Sequence, residues 1–309
     1  MGFDCVVLAK QVPDTANITA QAMKEDGTVN RAALPAIFNP EDLNALEMAL
    51  DVVEKHGGTV TLITMGLPQA GELLRQGLYR GATRAILLTD RRFARADTLA
   101  TSYTLAQAIK ALPRYDLVFC GRQAIDGDTA QVGPQTAEKL ACPQITYVEK
   151  IENLEPRRIV ARRSIGKGYE MVEATLPCLL TVVGSANEPR PPRAKLLMKY
   201  KNAKAPSEVF DRARKSINPD PLAKIDPATL NARAEPVLAE LKGKGLLIEE
   251  WKAENIKAEM SRIGGDGSPT KVKEIEFIVI KGSDIKMVEP TDEGLADMLR
   301  TLIADHTLG

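Results

Sequence analysis

Along the first 120 residues, short runs that are apolar on both faces alternate with longer stretches of helical periodicity. Cys5-Val6-Val7-Leu8-Ala9, Val60-Thr61-Leu62-Ile63-Thr64, Ala85-Ile86-Leu87-Leu88 and Leu117-Val118-Phe119-Cys120 are too short for helices. Their unbroken hydrophobicity fits strands covered on both sides in a parallel sheet. Helices are predicted near 41–55, 69–80 and 97–111. In the first, Leu43, Leu46, Ala49, Leu50 and Val53 recur at three- and four-residue spacing and make one apolar stripe. Asn39-Pro40 precedes it, with Asn39 a candidate cap and Pro40 suited to the first helical position. This alternation predicts an α/β fold with a doubly wound parallel sheet. Ligands of such sheets sit outside the carboxyl ends of the strands, where strand order reverses. The loops after Ala9, Thr64, Leu88 and Cys120 are therefore the ones to inspect.

Beyond residue 144 the pattern becomes extended. Segments 158–163 and 169–174 flank Ile165-Gly166-Lys167-Gly168 as the arms of a hairpin would, and Leu179-Leu180-Thr181-Val182-Val183 reads as another buried strand. Pro189-Arg190-Pro191-Pro192 then breaks the pattern. Between Arg190 and Lys215, nine Lys or Arg residues face only Glu208 and Asp211, so this stretch is predicted to leave the core. A short helix is expected around 229–242, a flexible joint at 264–269, a strand at 275–280 and a closing amphipathic helix near 292–304.

Composition narrows the function. The chain has 309 residues, enough for one large domain with an appendage or for two domains. Lys plus Arg and Asp plus Glu both total 41, so the zero net charge argues against a nucleic-acid coat or a basic membrane binder. No apolar run reaches the roughly 20 residues needed to cross a bilayer, and the start of the chain lacks a secretory signal. A cytoplasmic protein without membrane insertion is expected. Cys5, Cys120 and Cys178 stand in apolar contexts that favour inert thiols, and two histidines (His56, His306) make a His-based metal site improbable.

The most informative segment follows the strand at 117–120: Gly121-Arg122-Gln123-Ala124-Ile125-Asp126-Gly127-Asp128-Thr129-Ala130-Gln131-Val132-Gly133-Pro134. Gly121, Gly127 and Gly133 would permit positive φ and close backbone approach. With Asp128 or Thr129 as cap, the amides of Ala130, Gln131 and Val132 would be free for an anion. A capped strand-to-helix turn without a ligand fits the pattern equally well. The segment is neither a Walker A loop nor a Gly-x-Gly-x-x-Gly fingerprint, and the chain has no Gly-x-Ser-x-Gly elbow. Asp126 and Asp128 are better placed as loop acceptors than as an acid–base pair.

Together with Val7-Leu8-Ala9-Lys10-Gln11-Val12-Pro13-Asp14 and Asn39-Pro40-Glu41-Asp42, this loop resembles the beta subunit of electron transfer flavoprotein. The resemblance covers residues 1 to about 200 well and the tail from Gly264 more loosely. It implies an adenine nucleotide alpha-hydrolase-like fold, with a nucleotide-binding domain at 1–190 and a C-terminal extension and arm at 191–309. It also implies a bound adenine nucleotide, AMP or, in electron-bifurcating members, a second FAD. Leu8, Ala9, Asn39, Asp42 and Met65 would contact the adenosine. The loop residues Gly121, Gln123, Ala124, Ile125, Asp126, Gly127, Asp128, Thr129, Ala130, Gln131 and Val132 would meet the phosphate. An alpha subunit would carry the redox FAD against residues 11–15. Electrons would pass from an acyl-CoA dehydrogenase, another flavin dehydrogenase or NADH to a quinone oxidoreductase or ferredoxin.

Ala96-Asp97-Thr98-Leu99-Ala100-Thr101-Ser102 leans toward the two-FAD subgroup, with Thr98 and Thr101 lining the pocket beyond the first phosphate. The alternative is that Asp97 simply caps its helix. Residues 205–260 depart from the family pattern as an insertion, either altering partner docking or forming a solvated decoration. A competing function is a nucleotide-binding regulatory module resembling universal stress proteins, homodimeric and without flavin.

Overall fold

A computed structural model of the chain describes residues 2–14, 34–220, 224–271 and 287–304. The expected strand at 275–280, and Thr15 of the segment 11–15, lie outside them. Among the described residues, nine strands form one sheet in the order β11-β5-β4-β1-β6-β10-β7-β8-β9. They are β1 (Phe3–Leu8), β4 (Gly58–Met65), β5 (Arg84–Leu88), β6 (Leu117–Gly121), β7 (Gln144–Glu155), β8 (Arg158–Ser164), β9 (Tyr169–Thr175), β10 (Cys178–Val182) and β11 (Glu249–Trp251). All pairings from β11 to β7 are parallel; β7–β8 and β8–β9 are antiparallel and carry the predicted hairpin. A separate ribbon pairs β2 (Gln11–Pro13) with β3 (Ala36–Phe38).

Helices α1 (Pro40–His56), α2 (Gly71–Arg80), α3 (Thr98–Lys110) and α4 (Val132–Leu140) cover the sheet. Strand alternation sends Val7, Leu62, Leu87 and Phe119 into one core with Leu46, Leu50, Leu73 and Leu74 of α1 and α2. Val6, Ile63, Ile86 and Val118 enter a second core with Tyr103, Ile109 and Leu140 of α3 and α4. Two apolar layers on opposite faces make the sheet doubly wound. The buried thiols of Cys5, Cys120 and Cys178 belong to these cores, and burial raises all three well above the ordinary thiol range.

The C-terminal part is more integrated than its charge suggests. Helices α5 (Ala194–Tyr200), α6 (Pro206–Ile217) and α7 (Pro227–Gly243) lead into β11, which extends the parallel sheet beside β5. Arg75 of α2 bonds both Glu72 and Glu208 and donates to the Ala203 carbonyl, which fastens α6 to the core. Ala253, Ile256, Ala258 and Ile263 enter the α3–α4 core. The chain therefore does not leave the core at this point. Nor is 264–269 a flexible joint. Gly264 takes φ 56°, a Cβ there would lie 2.0 Å from the Arg92 carbonyl oxygen, and the following Ser268 is 5% exposed. The glycines serve close packing. The helix α8 (Asp292–Ala304) appears at its predicted place. No helix of the described residues is long and apolar enough to cross a membrane.

Candidate functional site

The strand order reverses between β1 and β6: β4 and β5 follow on one side of β1, while β6, β10 and β7 follow on the other. Two loops leave the carboxyl ends there, and the start of α1 ties them together. Asp42 accepts hydrogen bonds from the Lys10 amide at 2.9 Å and the Gly121 amide at 2.7 Å, one on each carboxylate oxygen. Burial raises this carboxyl to about 7 against the pull of those donors and of Asn39. Glu41 accepts from the Gln123 amide at 3.0 Å and pairs with Arg122 at 3.0 Å. Arg122 also lies over the Tyr147 ring, 5.7 Å from its centre.

Asn39 is fully buried and acts differently from the sequence expectation. It occupies the N-cap position but makes no side-chain cap bond. Its amide nitrogen donates to the Gln123 carbonyl at 2.9 Å, and its oxygen accepts from the Ile125 amide at 3.1 Å. The side chain thus clips the loop from both backbone polarities. Lys10 adds an ion pair to Asp126 at 2.7 Å.

The loop itself corrects two expectations. Its helix starts at Val132, not near Thr129, and neither Asp128 nor Thr129 caps it; the Asp128 carboxylate instead accepts from Gln123 Nε2 at 2.8 Å. Gly121, Gly127 and Gly133 are also not the positive-φ positions. Those are Asp128 (φ 48°) and Ala130 (φ 52°). Gly121 is needed because a Cβ would lie 2.7 Å from both the Asp42 amide and its carboxylate, and Gly133 because one would meet Cys120 Sγ at 2.8 Å. Around Gly127 the space is open.

Non-glycine residues in the left-handed region store strain of roughly 1–3 kcal/mol each, and such residues concentrate at ligand sites. Left-handed Ala130 followed by right-handed Gln131 (φ −98°, ψ −33°) aims successive N–H groups into one concavity, a backbone anion nest. Among the described residues, the amides of Thr129, Ala130, Gln131, Val132 and Gly133 donate to no protein acceptor. Five consecutive free donors at a helix start fit a phosphate.

Beside this loop, Asp97 caps α3 by accepting from the Ala100 amide at 3.0 Å. Burial would raise its carboxyl, but the amides of Ala100 and Thr270 hold it below the ordinary range. Thr98 donates to the Gln131 side chain at 2.8 Å, whereas Thr101 contributes its amide to the Asp97 carbonyl within the first turn. Leu8 and Met65 pack on the α3–α4 side of the sheet, Ala9 on the α1 side. Thr64, which sequence reasoning passed over for Met65, is 1% exposed, shares the α1 side with Leu62, and has a hydroxyl without a partner among the described residues. Lys10 and Glu41 were inside the motifs, but no pattern marked them as the groups that fix the loop. The expected site residues therefore gather along one edge of the sheet, with Asn39 and Asp42 spent on backbone groups.

A family model described as the electron transfer flavoprotein domain matches residues 26–213. A protein of Clostridium acetobutylicum named electron transfer flavoprotein subunit beta is 40% identical over 304 residues, spanning 98% of this chain and 99% of its own length. The chain belongs to the electron transfer flavoprotein beta-subunit family. Another relative, caffeyl-CoA reductase-Etf complex subunit CarD of Acetobacterium woodii, is 51% identical over 186 residues, 60% of this chain and 70% of that protein. Acryloyl-CoA reductase electron transfer subunit gamma of Anaerotignum propionicum is 38% identical over 308 residues, 98% of each chain. The family's work is electron transfer, and the site lies within the matched residues apart from the β1 end.

Proposed function

We propose that this chain is one half of a heterodimeric electron carrier and holds an adenine nucleotide where its sheet order reverses. The single observation that carries this reading is the run of free amides at residues 129–133, bent into a nest by Ala130 and Gln131. These amides would take the phosphate. Leu8, Ala9 and Met65 would line the apolar adenosine side, and Thr64 offers a buried hydroxyl with its bonding capacity unspent. Asn39, Glu41 and Asp42 act on the ligand indirectly, by fixing the loop that carries the donors. Ligand bound only to the folded chain also stabilises it by mass action.

The partner would be an alpha subunit whose FAD supplies the electron chemistry, while protein groups orient that flavin and set its potential. The segment beginning at Gln11 is the face of this chain assigned to it. Relatives named for caffeyl-CoA and acryloyl-CoA reductase complexes support a flavin enzyme acting on CoA esters as the electron-exchange partner. The test is a cofactor inventory of the complex purified with its alpha subunit, denatured and analysed by chromatography. Two FAD per heterodimer identifies a second FAD in this chain; one FAD with one AMP identifies AMP. A complex with neither a second FAD nor AMP overturns the nucleotide assignment.

A further inference from the structure

The turn at 262–270 reaches the nucleotide loop through three residues, and nothing in the family assignment gives it a role. Gly265 donates to the Ala94 carbonyl at 2.9 Å, and Gly267 approaches Arg262 so closely that a Cβ would lie 2.1 Å from its carbonyl carbon. This packing brings the buried Ser268 hydroxyl to the N-terminus of α3. Ser268 Oγ accepts from the Asp97 amide at 2.8 Å and donates to the Gly264 carbonyl at 2.7 Å. Two residues on, the Thr270 amide donates to the second Asp97 carboxylate oxygen at 3.1 Å. Asp97 is thus gripped at its main chain and its side chain by a segment more than 160 residues away. The next residue, Thr98, holds the Gln131 side chain in the middle of the free-amide run.

We propose that Ser268 is a positioning residue for the phosphate end of the nucleotide site. It fixes the main chain at Asp97, which fixes the Thr98 hydroxyl, which sets Gln131 and the left-handed to right-handed step at Ala130–Gln131. The inference rests on the nucleotide reading above and adds to it a dependence on the C-terminal segment. Its signature is selective. Binding of the phosphate depends on the nest, whereas the adenosine contacts lie on other strands. Loss of Ser268 must therefore weaken phosphate-bearing ligands and spare adenosine.

The experiment is calorimetric titration of the full chain with AMP, FAD and adenosine, in the wild type, Ser268→Ala, Thr98→Val and the double variant. Loss of one such hydrogen bond is expected to weaken AMP and FAD by about five- to tenfold and adenosine by less than about twofold. Because Ser268 acts through Thr98, the double variant is expected to bind AMP no worse than Thr98→Val alone. If Ser268→Ala does not fold, Thr98→Val must by itself reproduce the phosphate-selective loss. Equal weakening of AMP and adenosine, unchanged AMP binding by a folded variant, or fully additive losses would overturn the positioning role. A wild type that binds none of the three ligands refutes the nucleotide reading itself, whereas wild-type binding with an indifferent Ser268→Ala refutes only this inference.

Discussion

At the residue scale the site is a problem of backbone satisfaction. Asp42 joins the ends of β1 and β6 because each of its two oxygens, in the acid as in the carboxylate, keeps a lone pair for one amide, whereas asparagine replaces one of them with a donor. Asp42→Asn is expected to cost about 1–3 kcal/mol in urea denaturation, the penalty of a stranded buried donor. The pH dependence has a definite sign. Burial raises the folded carboxyl to about 7, so between about pH 4 and 7 the folded chain holds a proton that the unfolded chain has released. The contribution of Asp42 is complete below about pH 4 and is lost as the pH rises through 7. Wild type should thus gain stability over Asp42→Asn as the pH is lowered from 8 to 5. Glycines give a second contrast. Gly121→Ala drives a methyl into the first turn of α1 and should destabilise by about 1–3 kcal/mol. Gly127→Ala, with open space around it, should leave the denaturation midpoint nearly unchanged.

Elements were legible where one physical signal dominated. The buried strands and α1, α2 and α3 follow from apolar runs and 3–4 spacing, and the observed bounds differ from the expected ones by a residue or two. The start of α4 was misplaced because Asp128 and Thr129 look like caps, while Asp128 spends its carboxylate on Gln123. The strand β11 and helix α6 were hidden by charge, since their ion pairs, Arg84–Glu249 and Arg75–Glu208, are made across 165 and 133 residues of sequence. No local pattern predicts that Arg75 will meet Glu208. At 9% and 12% side-chain exposure the pair is nearly buried. Arg75→Met should therefore strand Glu208 and cost about 3 kcal/mol or more, with α6 becoming the first site of limited proteolysis. Adding Glu208→Gln should recover part of that loss.

On the scale of the whole molecule, the sheet does two jobs with one reversal of strand order. It sets the candidate crevice at the carboxyl ends of β1 and β6, and it divides the sheet so that β4 and β5 lie to one side of β1 and β6, β10 and β7 to the other. The motifs at 7–14, 39–42 and 120–134 made the crevice legible, because each places backbone amides or their acceptors at the same edge. The contribution of 262–270 was not legible: Gly-rich segments read as joints until the close approaches that require glycine are seen.

The most direct test is amide NMR of the full chain titrated with AMP and, separately, with adenosine. The free-donor geometry predicts large shifts at Thr129, Ala130, Gln131, Val132 and Gly133 with AMP, and small ones there with adenosine. AMP shifts that leave these five amides unmoved, or that match those of adenosine, would contradict the assignment of the loop as the phosphate grip.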